Sequence, residues 1–139
     1  MKYIKQFETG EWNKDVDWNY VKENPDDDSQ EAGWIRYLDT QLEYIIDDLD
    51  DPKIFKIIDI KGRDMYQGPY ASVKIFDKNY KICTLQDNNL WINNFPINNS
   101  GPNEKPGFEG LWHDISDILN QIIEAGGIEI YMNVKKYNL

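Results

Sequence analysis

Residues 29–52 read SQEAGWIRYLDTQLEYIIDDLDDP and predict one long amphipathic helix. Its apolar residues recur at the spacing of a single helix face, which is typical of a helix that covers a hydrophobic core. These residues are Trp34, Ile35, Leu38, Leu42, Ile45, Ile46 and Leu49. Ser29 or Asp28 is suited to cap the N-terminus, and Pro52 prevents continuation, so we expect a helix over about 30–49.

The segments on either side of this helix predict mainly strands. Before it we expect strands at 3–8 and 12–21, because Val16, Trp18 and Tyr20 alternate with polar residues in the second segment. After it we expect strands at 54–60, 70–76, 80–85 and 128–134, with 90–97 as an optional further strand. We also expect a hairpin turn at 77–79, a loop over 98–110 and a second helix over 111–124. This order predicts an α+β fold in one domain, residues 1–139, with a mostly antiparallel sheet of about six strands and two amphipathic helices packed on one face.

The overall charge restricts the classes of partner. The 139 residues include 25 acidic and 15 basic side chains, a net charge of −10. A chain this acidic is unsuited to nucleic acid or to an anionic membrane surface, since both require clustered cations. With one cysteine, Cys83, and one histidine, His113, we expect neither a disulfide, a metal site nor a bound cofactor. We also expect a cytoplasmic protein, because the free cysteine suits a reducing compartment and residues 1–8 lack the apolar run of a secretory signal.

The negative charge is concentrated in one part of the chain. Residues 8–51 carry fifteen acidic and three basic side chains, a net of −12, whereas residues 52–86 have a net charge of +4. Within the first helix, Asp39, Glu43 and Asp47 recur every four residues, so their like charges repel. Further acids crowd the C-terminal end of the helix, where the helix dipole disfavours them.

Acids in such unfavourable positions predict a docking face for a basic protein partner. The alternative is a solubilising surface that is partly neutralised by Lys53, Lys56 or Lys61. For the partner-binding residues we select six acids, together with two tryptophans that lie beside polar residues, because Trp is enriched in binding hot spots. They are Asp39, Glu43, Asp47, Asp48, Asp50, Asp51, Trp12 and Trp91.

No motif indicates an enzyme. A pairing of His113 with Asp117 has no partnered nucleophile, and Cys83 lies in a predicted strand where a small core residue is expected. The many carboxylates leave a small carboxylate-dependent hydrolase open as a further alternative, but no pair is singled out.

The acidic run from Glu8 to Asp51, in a small α+β chain without catalytic motifs, is similar to the profile of bacterial toxin-immunity proteins. This resemblance implies a binding protein that neutralises a cognate toxin, often a cationic nuclease, by covering its active site or another essential surface. The other non-enzymatic alternative is a phage- or plasmid-encoded anti-defence protein that mimics DNA. Such a protein needs two rows of acids at phosphate-like spacing, whereas Asp39, Glu43, Asp47 and Asp50 form one short row.

Overall fold

A computed structural model describes residues 15–62, 68–99 and 105–137. The described residues form four α-helices and five β-strands. In chain order they are α1 (Trp18–Glu23), α2 (Gln30–Asp48), β1 (Phe55–Lys61), β2 (Tyr70–Ile75), β3 (Lys78–Thr84), β4 (Leu90–Asn93), β5 (Gly107–Gly110), α3 (Trp112–Ala125) and α4 (Ile128–Tyr137). The predicted α+β class is confirmed, with five strands rather than about six.

The sheet is an antiparallel meander in the order β1-β2-β3-β4-β5. Alternate residues of each strand point to the same face. On one face, Ala71, Ile82 and Ile92 lie at paired positions and are completely buried. They belong to the same hydrophobic core as Leu38 of α2 and Leu119 of α3, so both long helices share one core with this face of the sheet.

Both long helices were predicted correctly because their apolar stripes extend over several turns. The Ser29 hydroxyl caps α2 by accepting a hydrogen bond from the Ala32 amide at 3.2 Å. At the start of α3, the Leu111 amide donates to the Asp114 carboxylate at 2.9 Å. The helix ends at Gly126, whose φ of +102° lies in the left-handed region that glycine favours.

The strand predicted at 12–21 is wrong where the chain is described, because residues 18–23 form α1. The Asp17 carboxylate accepts a hydrogen bond from the Tyr20 amide at 2.9 Å and so begins a helix. One turn later, the Lys22 ammonium lies 3.6 Å from the centre of the Trp18 ring. Three alternating apolar residues were too few to distinguish a strand from this short helix. The strand predicted at 3–8 lies outside the described residues.

The strand predicted at 128–134 is also wrong, because this segment forms α4. Tyr131, which the alternating pattern placed outward, is the residue that packs inward, and its hydroxyl donates to Gln121 at 3.2 Å. Ile130, Met132 and Val134, by contrast, are 44–50% exposed. The buried and exposed residues of α4 are therefore the reverse of those that the strand prediction required.

Two connections differ from the prediction as well. The predicted loop 98–110 includes an edge strand, β5, and Gly107 is required there because an added Cβ would lie 2.5 Å from the Trp91 ring. The hairpin turn between β2 and β3 is formed by residues 76–77 rather than 77–79, with Ile75 paired to Lys78. Phe76 in that turn has a φ of 56°, an unusual value for a bulky side chain.

The second face of the sheet carries exposed lysines. Lys56 and Lys74 are paired across β1 and β2, and Lys81 follows on β3. These three lysines contribute to the positive net charge that the sequence shows over residues 52–86. Within the described ranges, no helix combines the length and the apolar character needed to cross a membrane.

Candidate partner-binding surface

The solvent side of α2 presents three carboxylates, which we call the acidic row: Asp39, Glu43 and Asp47. Burial of Ile35, Leu38, Leu42 and Ile45 fixes which side of the helix faces the core. The members of the row are four residues apart, so they follow one another along the helix surface. Glu43 and Asp47 are exposed, and Asp39 is half-buried.

The electrostatics of the acidic row are unfavourable in the isolated chain. Partial burial of the carboxyl group, and repulsion from Asp39 and Asp47, raise the pKa of Glu43 above its ordinary value. One oxygen of Asp39, Oδ1, is shielded from solvent without a hydrogen-bond partner. No member of the row forms an ion pair with a described residue. The repulsion is therefore not compensated within the described part of the chain.

The acids at the C-terminal end of α2 have local partners. The Ser116 hydroxyl, which is completely buried in α3, donates to Asp48 Oδ2 at 2.6 Å. Asn120 joins the same helix end twice: its Nδ2 donates to the Asp48 carbonyl at 2.9 Å, and its Oδ1 accepts from the Asp50 amide at 2.8 Å. The Asp51 carboxylate accepts from the Lys53 amide at 3.2 Å and caps the short 3₁₀ turn Pro52–Ile54. The carboxylates of Asp48 and Asp51 thus accept hydrogen bonds from within the chain.

The lysines considered for neutralisation do not pair with the acidic row. Lys61 Nζ lies 3.7 Å from Asp59 Oδ2, within the same strand. Lys56 is on the exposed face of the sheet, away from the core that α2 covers. Neither they nor Lys53 forms an ion pair with the acidic row. This arrangement favours the docking interpretation over local neutralisation.

The aromatic residues are distributed differently from the prediction. Trp12 lies outside the described residues. Trp91 is only 6% exposed and packs beside Gly107, so the structure gives it a packing role. The exposed aromatic side chains of α2 are Tyr37 and Tyr44, at 36% and 46%. Sequence reasoning missed both, although their place opposite the apolar stripe is a usable signal.

A cleft of about 950 Å³ lies beside the N-terminal half of α2. Trp34 and Tyr37 line one side, and the β3–β4 connection, residues 84–89, lines the other together with Glu109 of β5. The Tyr37 hydroxyl donates to Asn88 Oδ1 at 2.6 Å and so links the two sides. Burial raises the pKa of the Tyr37 phenol.

The connection that forms this cleft has an unusual backbone. Asp87 and Asn88 have φ values of 59° and 65°, in the left-handed region. Asp and Asn tolerate this region better than other non-glycine residues. The run Asp87-Asn88-Asn89 therefore indicates a tight turn, but the sequence alone does not predict that this turn lies next to Trp34.

The described residues offer little for catalysis. Among them, no group of three or more His, Cys, Asp or Glu side chains is placed to hold a metal ion. His113 Nδ1 lies 3.5 Å from Asp114 Oδ1, and both side chains are about half exposed. Cys83 is buried, as predicted for a core thiol.

In comparisons with known proteins, no family model, no curated protein and no solved structure matches the chain.

Proposed function

We propose that the chain is a binding protein that captures a basic protein partner on the acidic row, and that it acts as an immunity protein against a toxin. The observation that carries the proposal is the row itself: three carboxylates in succession on the solvent side of α2, without an ion pair to any described residue. Such a surface attracts a cationic partner at long range and speeds its association.

The free-energy balance of the row supports this proposal. Like charges four residues apart destabilise a helix by about 0.2–0.5 kcal/mol per pair. Partial burial of its carboxyl group, followed by repulsion from Asp39 and Asp47, raises the pKa of Glu43. A cationic side chain placed between the carboxylates would remove the repulsion, and this gain is available only in the complex. The row is thus unfavourable for the free chain and favourable for a complex with a basic protein.

The two alternatives have weaker support. A DNA mimic requires two rows of acids, whereas α2 carries one short row and the exposed face of the sheet carries lysines. A carboxylate hydrolase requires two carboxylates that face one substrate bond, and no described pair is distinguished by its hydrogen bonds for that role.

The test uses two variants with equal changes of charge. The row-neutral variant carries Asp39→Asn, Glu43→Gln and Asp47→Asn; the control variant carries Asp117→Asn, Glu124→Gln and Glu129→Gln, three exposed acids of α3 and α4. Tagged wild type, row-neutral and control chains are used to capture proteins from the native host. We expect wild type and control to recover the same basic protein in equal amounts and the row-neutral variant to recover at least tenfold less.

A functional measurement then separates immunity from other binding. The captured protein is expressed alone and together with each chain. We expect growth arrest that the wild type and the control relieve and the row-neutral variant does not. Equal recovery by the row-neutral variant, or a partner whose expression leaves growth unchanged, would contradict the proposal.

A further inference from the structure

Two aromatic side chains meet at the surface between α2 and α3, and we call them the aromatic pair: Tyr44 and Trp112. Their ring centres lie 5.4 Å apart, with an angle of 49° between the ring planes. Tyr44 is 46% exposed, and Trp112 is partly buried. Tyr and Trp are the residues most enriched at the centre of protein interfaces, so the pair marks a surface that a partner can bind.

The two helices hold the aromatic pair in a fixed position. Trp112 is the first residue of α3 and packs against the hydrophobic core. One turn further along each helix, the Ser116 hydroxyl donates to Asp48 Oδ2 at 2.6 Å and joins α3 to α2. Binding to side chains that are already ordered costs less conformational entropy than binding to mobile ones. The pair is therefore suited to a close and lasting contact.

The aromatic pair is continuous with the acidic row. Asp47, the last member of the row, follows Tyr44 by three residues, so the two side chains are neighbours on the surface of α2. On α3, the His113 ring packs edge-on against Trp112, and Asp114 Oδ1 lies 3.5 Å from His113 Nδ1. Carboxylates thus lie near the rings on both helices. Rings with carboxylates beside them favour a cationic group over their faces.

Lysines lie over three other aromatic rings of the described chain. The distance from the lysine nitrogen to the ring centre is 3.6 to 5.6 Å in the pairs Lys22–Trp18, Lys81–Tyr70 and Lys135–Tyr131. In the part of the chain that the structure describes, no lysine or arginine lies over the aromatic pair in this way. The rings of the pair can therefore accept from a partner the contact that lysines of the chain make elsewhere.

We propose that the aromatic pair is the anchor of the partner interface, where a cationic side chain of the basic partner lies over the Tyr44 and Trp112 rings. This inference rests on the proposed function and divides the interface into two parts. The acidic row acts at long range and mainly determines the rate of association. The aromatic pair acts only in contact and mainly determines the rate of dissociation.

The first test measures both rate constants of the full chain with the basic partner that the wild type captures. Tyr44→Leu removes the ring but keeps an apolar side chain, Tyr44→Phe keeps the ring, and Ile58→Ala is the control at a residue of β1 that is 47% exposed. We expect Tyr44→Leu to dissociate about tenfold faster, with its association rate within about twofold of wild type. Tyr44→Phe and Ile58→Ala should change neither rate constant by more than about twofold.

The second test uses a peptide probe and needs no partner. The wild-type chain is titrated with N-acetyl-tetraarginine amide and with the matching tetracitrulline amide, which has a similar shape without the charge. The indole N–H signal of Trp112, assigned with Trp112→Phe, is followed by NMR. We expect a saturable shift with tetraarginine and at least tenfold weaker binding of tetracitrulline. Tyr44→Leu should weaken tetraarginine binding at least fivefold, whereas Tyr44→Phe should bind it as wild type does.

The outcomes separate this inference from the proposed function. Unchanged dissociation of Tyr44→Leu, an equal effect of Ile58→Ala, no saturable shift of Trp112, or equal binding of the two peptides would overturn the anchor. If the row-neutral variant associates more slowly while Tyr44→Leu behaves as wild type, the proposed function stands and the anchor is wrong. If the wild type captures no basic protein, the proposed function fails, and the peptide titration decides whether the aromatic pair accepts a cation.

Discussion

The carboxylates of the acidic row and the carboxylate of Asp48 belong to the same helix, α2, but their surroundings differ. Asp48 accepts hydrogen bonds through both its side chain and its carbonyl from α3. Asp39, Glu43 and Asp47 have no such partners among the described residues, and the pKa of Glu43 is raised. At the helix end, the Asp48 carboxylate contacts a second helix, whereas the acidic row is the surface on which the proposed function rests.

The largest expected effect compares two neighbouring residues. Asp48→Ala removes the carboxylate that binds the buried Ser116 hydroxyl, so we expect a loss of about 1–2 kcal/mol in the free energy of unfolding. Asp47→Ala, one residue earlier, removes an exposed acid and should change stability by less than about 0.5 kcal/mol. Urea unfolding of both variants measures the difference, and equal losses would remove the distinction between the two regions.

A smaller effect is expected at Asn120. Asn120→Ala removes one donor and one acceptor from the end of α2, at a half-buried position, and we expect a loss of about 1 kcal/mol in the free energy of unfolding. In the double variant Asp48→Ala/Asn120→Ala, the two losses of unfolding free energy should be nearly additive, because Asn120 binds the Asp48 carbonyl rather than its side chain. Strong coupling in this cycle would show that the helix end is one network instead of two separate contacts.

The smallest effect, of opposite sign, is expected at Glu43. Its folded-state pKa is raised by partial burial and by Asp39 and Asp47, so the folded state binds the proton more tightly than the unfolded state. Stability then falls as the pH rises through the interval between the ordinary and the raised pKa. Glu43→Gln should therefore stabilise the chain by about 0.5 kcal/mol at neutral pH and low salt, with the gain absent below that interval.

Asp27 provides the control for this pH dependence. Hydrogen bonds from the Tyr20 hydroxyl at 2.6 Å and the Ser29 amide at 2.8 Å lower the pKa of Asp27. Its contribution is present above the ordinary pKa and is lost as the pH falls through the folded-state pKa. Asp27→Asn should thus destabilise the chain at neutral pH and not in acid. Unfolding curves of both variants from pH 3 to 7 test the two signs, and a shared pH dependence would contradict the assignment.

The long elements were predictable from sequence and the short ones were not. In α2 and α3 the apolar stripe repeats over several turns, so the helical period is unambiguous. In α1 and α4 a few alternating residues matched a strand equally well, and capping by Asp17 and anchoring by Tyr131 favoured helices. The Asp17 cap is local, whereas the contact of Tyr131 with Gln121 joins two helices and depends on packing that a single sequence does not display.

The candidate surfaces divide in the same way. The acidic row follows from four-residue spacing and was visible in the sequence. The partners of Asp48 were not, because Ser116 lies 68 residues further along the chain. The cleft was also hidden, since it requires the sheet register to place Glu109 beside the β3–β4 connection and Trp34 of α2.

The most direct test of the acidic row is the association rate constant with the captured partner at low and high ionic strength. Wild type, row-neutral and control chains are compared under the same conditions. We predict that the row-neutral variant associates about tenfold more slowly than the control at low salt and that its rate depends less on salt. Equal rates and equal salt dependence for the row-neutral and control chains would contradict a role for Asp39, Glu43 and Asp47 in partner binding.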